Sequence, residues 1–189
     1  MDKYVYSNSQ ILKNKFNIKQ NKELERRERT LISIRLLEII DGKTRIKRSF
    51  NLEHLKKIHK YMFQDIYDWA GKLRDVDIAK GNTLFCKAVN IEDFARDIFT
   101  KLEKNDFFSN LSKKELFEKI AILLLDINAL HPFREGNGRV QREFIRELVG
   151  ERGYSLDFIN ISKEKMIELS VKDNPTELAK FLLENAKEI

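Results

Sequence analysis

The chain has 189 residues, 42% of them hydrophobic, with only seven glycines and two prolines; this suits one helical domain with a real core and excludes a disordered polymer. The single cysteine, Cys86, rules out an intramolecular disulfide and a cysteine metal site, and a reducing cytoplasm is the compartment expected. The net charge is +6, but 36 basic residues are interleaved with 30 acidic ones and no nucleic-acid motif appears, so an anionic ligand or an acidic partner is expected rather than direct nucleic-acid binding. Residues 1–16 lack the apolar stretch of a signal peptide, and no run approaches the ~18 apolar residues of a membrane span, so no membrane association is expected.

In chain order, residues 22–41 carry Leu24, Leu31, Ile34 and Leu37 among Glu/Arg pairs, which predicts an amphipathic helix ended near Gly42. From Asn51, apolar residues recur at three- and four-residue spacing through Trp69, which predicts a second helix closed by Gly71. Leu73–Ile78 alternates apolar and charged residues, residues 79–83 are turn-like, and Leu84–Val89 can return, so a small hairpin is expected. Asn90 is expected to cap a helix running to about residue 104. Ser112 and Glu115 form a capping box before a segment that is apolar nearly all round, which predicts a central helix. A further helix follows residue 138. Then come a turn at Gly150 and Gly153, an extended segment Tyr154–Ile161, and two helices begun by Ser162 and by Asn174-Pro175. Neither repeats nor linkers divide the chain, so residues 1–189 are read as one domain with a core over about 20–160 and C-terminal helices over about 162–187.

The central helix leads into residues 131–142, His-Pro-Phe-Arg-Glu-Gly-Asn-Gly-Arg-Val-Gln-Arg. A neutral imidazole accepts a proton at physiological pH, so His131 suits a general base acting on a hydroxyl. Glu135 can give one oxygen to Mg²⁺, which takes few protein carboxylates and fills its shell with phosphate and water. Gly136 and Gly138 let the backbone approach an anion, Asn137 adds a side-chain donor, and the helix that follows presents its first free N–H groups to the same place. Arg139, Arg142 and Arg146 share one helix face; the first two are expected to bind phosphate and Arg146 to be solvated. Phe133 should be buried as an anchor of the loop, and Arg134 exposed.

This segment resembles the signature of the Fic (filamentation induced by cAMP) family, HPF-x-[D/E]-GNGR-x-x-R, with every specified position present. Residues 67–74, Tyr-Asp-Trp-Ala-Gly-Lys-Leu-Arg, resemble the family's YxWAGxxR segment, and Lys80-Gly81 with Phe85 resemble its β-hairpin flap. The resemblance implies an all-α Fic fold with a small hairpin over the active-site loop. It also implies a protein adenylyltransferase that uses ATP and Mg²⁺, with His131 as base, Glu135 on the metal, and Gly136, Asn137, Gly138, Arg139 and Arg142 on the nucleotide. Lys80, Gly81 and Phe85 would contact target or nucleotide. Gly138 and Arg142 separate the chain from a kinase-like branch that lacks both, while transfer of UMP or phosphocholine stays open. A noncatalytic nucleotide-binding module would not need the base.

Family members are held inactive by a helix bearing [S/T]-x-x-x-E-[G/N]. Outside the signature only Glu184-Asn185 offers Glu followed by Gly or Asn, and Lys180 stands where Ser or Thr belongs. Glu184 is therefore either an incomplete internal inhibitor or a surface residue, and a separate small antitoxin protein is the expected alternative. The toxin branch of the family further implies type II topoisomerase subunits as targets.

Overall fold

The computed structural model describes residues 2–81 and 83–189. Helix α1 (Asn21–Ile40) packs on α2 (Leu52–Phe63), α3 (Ile91–Lys104) packs on α4 (Lys113–Leu130), and α4 lies against both α5 (Asn137–Gly150) and α7 (Pro175–Asn185), which follows α6 (Lys163–Lys172). Two small antiparallel sheets complete it: β1 (Ala79–Lys80) with β2 (Thr83–Leu84), and β3 (Tyr154–Leu156) with β4 (Ala186–Glu188). Among the described residues no helix is long and apolar enough to cross a membrane.

Local chemistry explains the boundaries. Ser112 accepts from Glu115 N–H and the Glu115 side chain returns the bond, so the capping box at the start of α4 is complete. Asn51 caps α2 and Asn174 caps α7, where Pro175 occupies the first turn. Asn90, expected as a cap, makes no side-chain cap bond, because a 3₁₀ turn over Ala88–Asn90 already leads the chain into α3. Buried along α4 are Phe117, Ile120, Leu124, Ile127 and Leu130, facing Val140, Phe144 and Leu148 of α5 and Leu178 and Leu182 of α7.

Three expectations are corrected. The second helix stops at Phe63 rather than near Gly71. The Ile66 and Tyr67 N–H groups both turn back to Phe63 O, and the Gly71 N–H donates to His59 Nδ1 at 2.7 Å, so residues 64–71 fold back over the helix end. Gly71 sits there at φ +81, where a Cβ would come within 2.7 Å of Lys60 Cβ. The hairpin exists, but three of its four ladder residues were read as its turn: Ala79 opposes Leu84 and Lys80 opposes Thr83, so only Leu84 comes from an expected strand. Gly81 occupies the turn at φ +57, and Asn82 lies outside the described residues. The expected strand residues on either side are held elsewhere, Arg74 N–H by Pro132 O and Cys86 N–H by Ala129 O, each at 2.9 Å. Finally, the extended segment is a strand only to Leu156, and its partner is the chain end, Ala186–Glu188, where the last helix was expected to run to about residue 187.

Candidate active site

His131 ends α4 in the left-handed region, at φ 42 and ψ 59, with its N–H bonded to Ile127 O at 3.1 Å. The Pro132 that follows cannot continue the helix, so the chain leaves it abruptly there. His131 Nδ1 lies 3.1 Å from Asn128 O. A carbonyl only accepts, so Nδ1 carries the proton and Nε2 keeps a free lone pair. The Phe85 ring stacks on the imidazole at 3.7 Å between centroids. Burial, aided by the Lys80 charge, pushes the His131 pKa down to about 4. A neutral, correctly tautomeric base is the result.

The turn after Pro132 is braced from below. Phe133 is fully buried, as expected, and stacks on His59 at 4.0 Å; His59 in turn stacks on Phe63 at 4.6 Å. His59 accepts from Gly71 N–H, so its Nε2 carries the proton and donates to Glu135 O at 3.1 Å. Asn137 corrects the expectation of a side-chain phosphate donor: Phe133 N–H donates to its Oδ1 at 2.8 Å and its Nδ2 donates to Phe133 O at 2.7 Å. Its amide clamps the loop. Its backbone N–H and that of Gly138 have no backbone acceptor among the described residues, and they stand in the first turn of α5 behind Gly136 at φ +86.

Burial works against the charge of Glu135, but the Gly136 N–H on its Oε1 at 2.8 Å, with the Lys80 and Arg139 charges, holds its pKa below the usual carboxylate value. Arg139 reaches Glu135 Oε1 at 3.3 Å, Glu28 of α1 at 2.5 Å, and covers the Phe63 ring. Glu28 also accepts from Tyr67 O–H at 2.6 Å. Arg142 lies back along the first turn of α5, its Nη1 3.2 Å from where a Gly138 Cβ would stand. It makes no hydrogen bond or ion pair to any described residue, and burial, with Arg139 nearby, lowers its pKa to about 10. Lys80 and Gly81 are exposed on the hairpin, beside this cradle.

Two surface assignments change. Arg146 is not solvated: it grips the buried carboxylate of Glu143 with Nε at 2.8 Å and Nη2 at 2.6 Å. Arg134 is covered by the N-terminal segment, where Asp2 accepts from its Nε at 3.0 Å and Nη2 at 2.7 Å. Glu184 stands 60% exposed on α7, 4.0 Å from Lys180, and forms no hydrogen bond or ion pair with Arg142. Sequence reasoning gave no part to Glu28 or His59, and took Tyr67 only as the start of the segment resembling YxWAGxxR. His59 was findable, since it sits on the apolar face of α2 between Leu55 and Met62, whereas nothing separates Glu28 from the other charges of α1.

One signature segment thus carries an imidazole with a free lone pair, two N–H groups without a backbone acceptor, one carboxylate, and an arginine without a partner among the described residues. Residues 49–149 match the Fic/DOC family model. The chain is 39% identical to protein adenylyltransferase VbhT of Bartonella schoenbuchensis over 90% of its own length, spanning 35% of that relative. It is 38% identical to the Fic protein of Escherichia coli, covering 86% of this chain and 80% of the relative. Its fold superposes with a TM-score of 0.87, at 25% identity and 98% and 94% coverage, on the N-terminal Fic domain of a VirB-translocated Bep effector from Bartonella quintana with bound ADP. The chain belongs to the Fic/DOC family.

Proposed function

We propose that the chain is a protein adenylyltransferase that moves AMP from ATP to a hydroxyl side chain of a target protein. The observation that carries this reading is the pairing of the His131 Nε2 lone pair with an anion cradle whose Arg142 lacks a partner. A binding module would need the cradle but not the base. The naming of VbhT and the ADP of the Bartonella quintana domain support the same donor class. In the reaction, His131 takes the proton of the acceptor hydroxyl, the oxygen attacks the α-phosphorus, and pyrophosphate leaves. The N–H groups of Asn137 and Gly138 and the guanidinium groups of Arg139 and Arg142 hold the phosphates and meet the developing charge. Lys80 and Gly81 on the hairpin, and Phe85 just after it, are assigned to contact with target or nucleotide, a reading supported by the stacking of Phe85 on His131.

Mg²⁺ fits the site. Glu135 Oε2 makes no hydrogen bond to a described residue, and a single carboxylate is the usual protein share of a phosphate-bound Mg²⁺. The ion would neutralise phosphate charge there. Since Glu184 is turned to solvent, inhibition is assigned to a separate small antitoxin protein that brings its own glutamate. The resemblance to the toxin branch supports a cytoplasmic action on type II topoisomerase subunits. The test is mass spectrometry of a lysate incubated with the protein and with ATP labelled on the α- or the γ-phosphorus. Transfer of the α-label to a Ser, Thr or Tyr is expected; transfer of the γ-label alone would overturn the assignment.

A further inference from the structure

Arg74 is 2% exposed and pairs with no carboxylate among the described residues. Its guanidinium donates instead to three backbone carbonyls: Nε to His131 O at 2.8 Å, Nη1 to Val76 O at 2.7 Å, and Nη2 to Cys86 O. Its own N–H holds Pro132 O. Burying a cation against carbonyls alone is expensive in desolvation, and an apolar residue of similar volume would fill the space at lower cost. What only the planar fork supplies is a fixed geometry among several acceptors.

Those acceptors lie in three segments. His131 ends α4, Val76 leads into β1, and Cys86 follows β2. The hairpin between them has two residue pairs, far too few to hold its position alone. Its placement is therefore set at its flanks, by Arg74, by the Cys86 N–H on Ala129 O at 2.9 Å, and by the Ala88 N–H on Asp77 Oδ1 at 2.7 Å. The residue before Cys86 is Phe85, whose ring lies on the imidazole of His131. One guanidinium thus ties both arms of the hairpin to the backbone of the base.

We propose, on the adenylyltransferase reading above, that Arg74 is a positioning residue for transfer, clamping the hairpin and His131 into a single register from beneath. It touches neither the phosphate cradle nor the attacking hydroxyl. Its loss acts on the alignment of the acceptor and leaves the hold on ATP in place.

The test uses Arg74→Met, which keeps volume, and Arg74→Lys, which keeps the charge but not the fork. Amide hydrogen exchange at residues 76–81 and 83–88 should accelerate by ~10-fold or more while α4 and α5 stay protected. ATP affinity should stay within about twofold, and kcat for target labelling should fall by ~10–100-fold, with only partial rescue by lysine. Unchanged exchange in the hairpin, or equal acceleration through α4 and α5, would overturn the clamp. Should neither variant fold, nitrogen-15 spectra of the wild-type protein decide: separate, slowly exchanging Nε and Nη signals are expected for Arg74, and a freely rotating guanidinium refutes the proposal. These readouts need no turnover, so a wild-type protein that transfers no AMP counts against the adenylyltransferase reading alone.

Discussion

The neutral His131 imidazole links protonation to both chemistry and folding. His131→Ala should leave ATP binding intact and lower transfer by the ~10²–10⁴-fold of a lost general base, measured as labelling of a target by purified protein. His131 and His59 have folded pKa values of about 4 and about 3, against an ordinary 6.5. Between those values the unfolded chain binds the extra protons, so their contribution to stability is complete above pH ~6.5 and is lost as pH falls toward 4 and 3. Urea midpoints should therefore drop between pH 7 and pH 5, and the drop should shrink in His131→Ala; an identical drop in both proteins would refute the assignment. Arg142 and Arg146, one turn apart, should part ways. Arg142→Ala removes an unpartnered buried cation and should weaken ATP binding without loss of stability. Arg146→Ala strands the buried Glu143 and should cost roughly 1–3 kcal/mol in urea unfolding with ATP binding retained.

At the scale of elements, the signature works because a left-handed cap, a braced turn and a helix N-terminus follow one another without a spare residue. Gly136 is the tightest point. At φ +86 it presses on the Phe63 ring, into which any Cβ would run. Gly136→Ala should destabilise the fold by about 2–5 kcal/mol, from combined backbone strain and overpacking; thermal denaturation near that of the wild type would show that the loop yields. These local rules were legible in the sequence. The capping box of α4, the proline start of α7, the buried Phe133 and the place of His131 at the end of α4 each depend on neighbours within a few residues. What was illegible depends on distant partners. The ladder of β1 and β2 is short because Arg74 and Cys86 take their bonds from Pro132 and Ala129, and β4 forms because Tyr154–Leu156 offers it an edge. Arg134 looked solvated for the same reason, since Asp2 had first to be brought to it, whereas Arg146 looked solvated although its partner Glu143 stands three residues away on the same helix.

Across the whole molecule, α7 is joined to the site through α4, whose far face it covers with Leu178, Ala179 and Leu182. That packing leaves Glu184 60% exposed and without a hydrogen bond or ion pair to Arg142. An internal inhibitor would require α7 to leave α4 and uncover those apolar side chains, at about 1.5–3 kcal/mol for each leucine exposed. No single glutamate–arginine pair in water returns that much. Glu184→Gly should therefore leave target labelling at the wild-type level in protein purified without a co-expressed partner. It should change stability by about 1 kcal/mol, the helix cost of glycine. A variant that labels its target sharply faster than a nearly silent wild type would mean that α7 does reach the cradle in solution, and the separate inhibitor protein would no longer be needed.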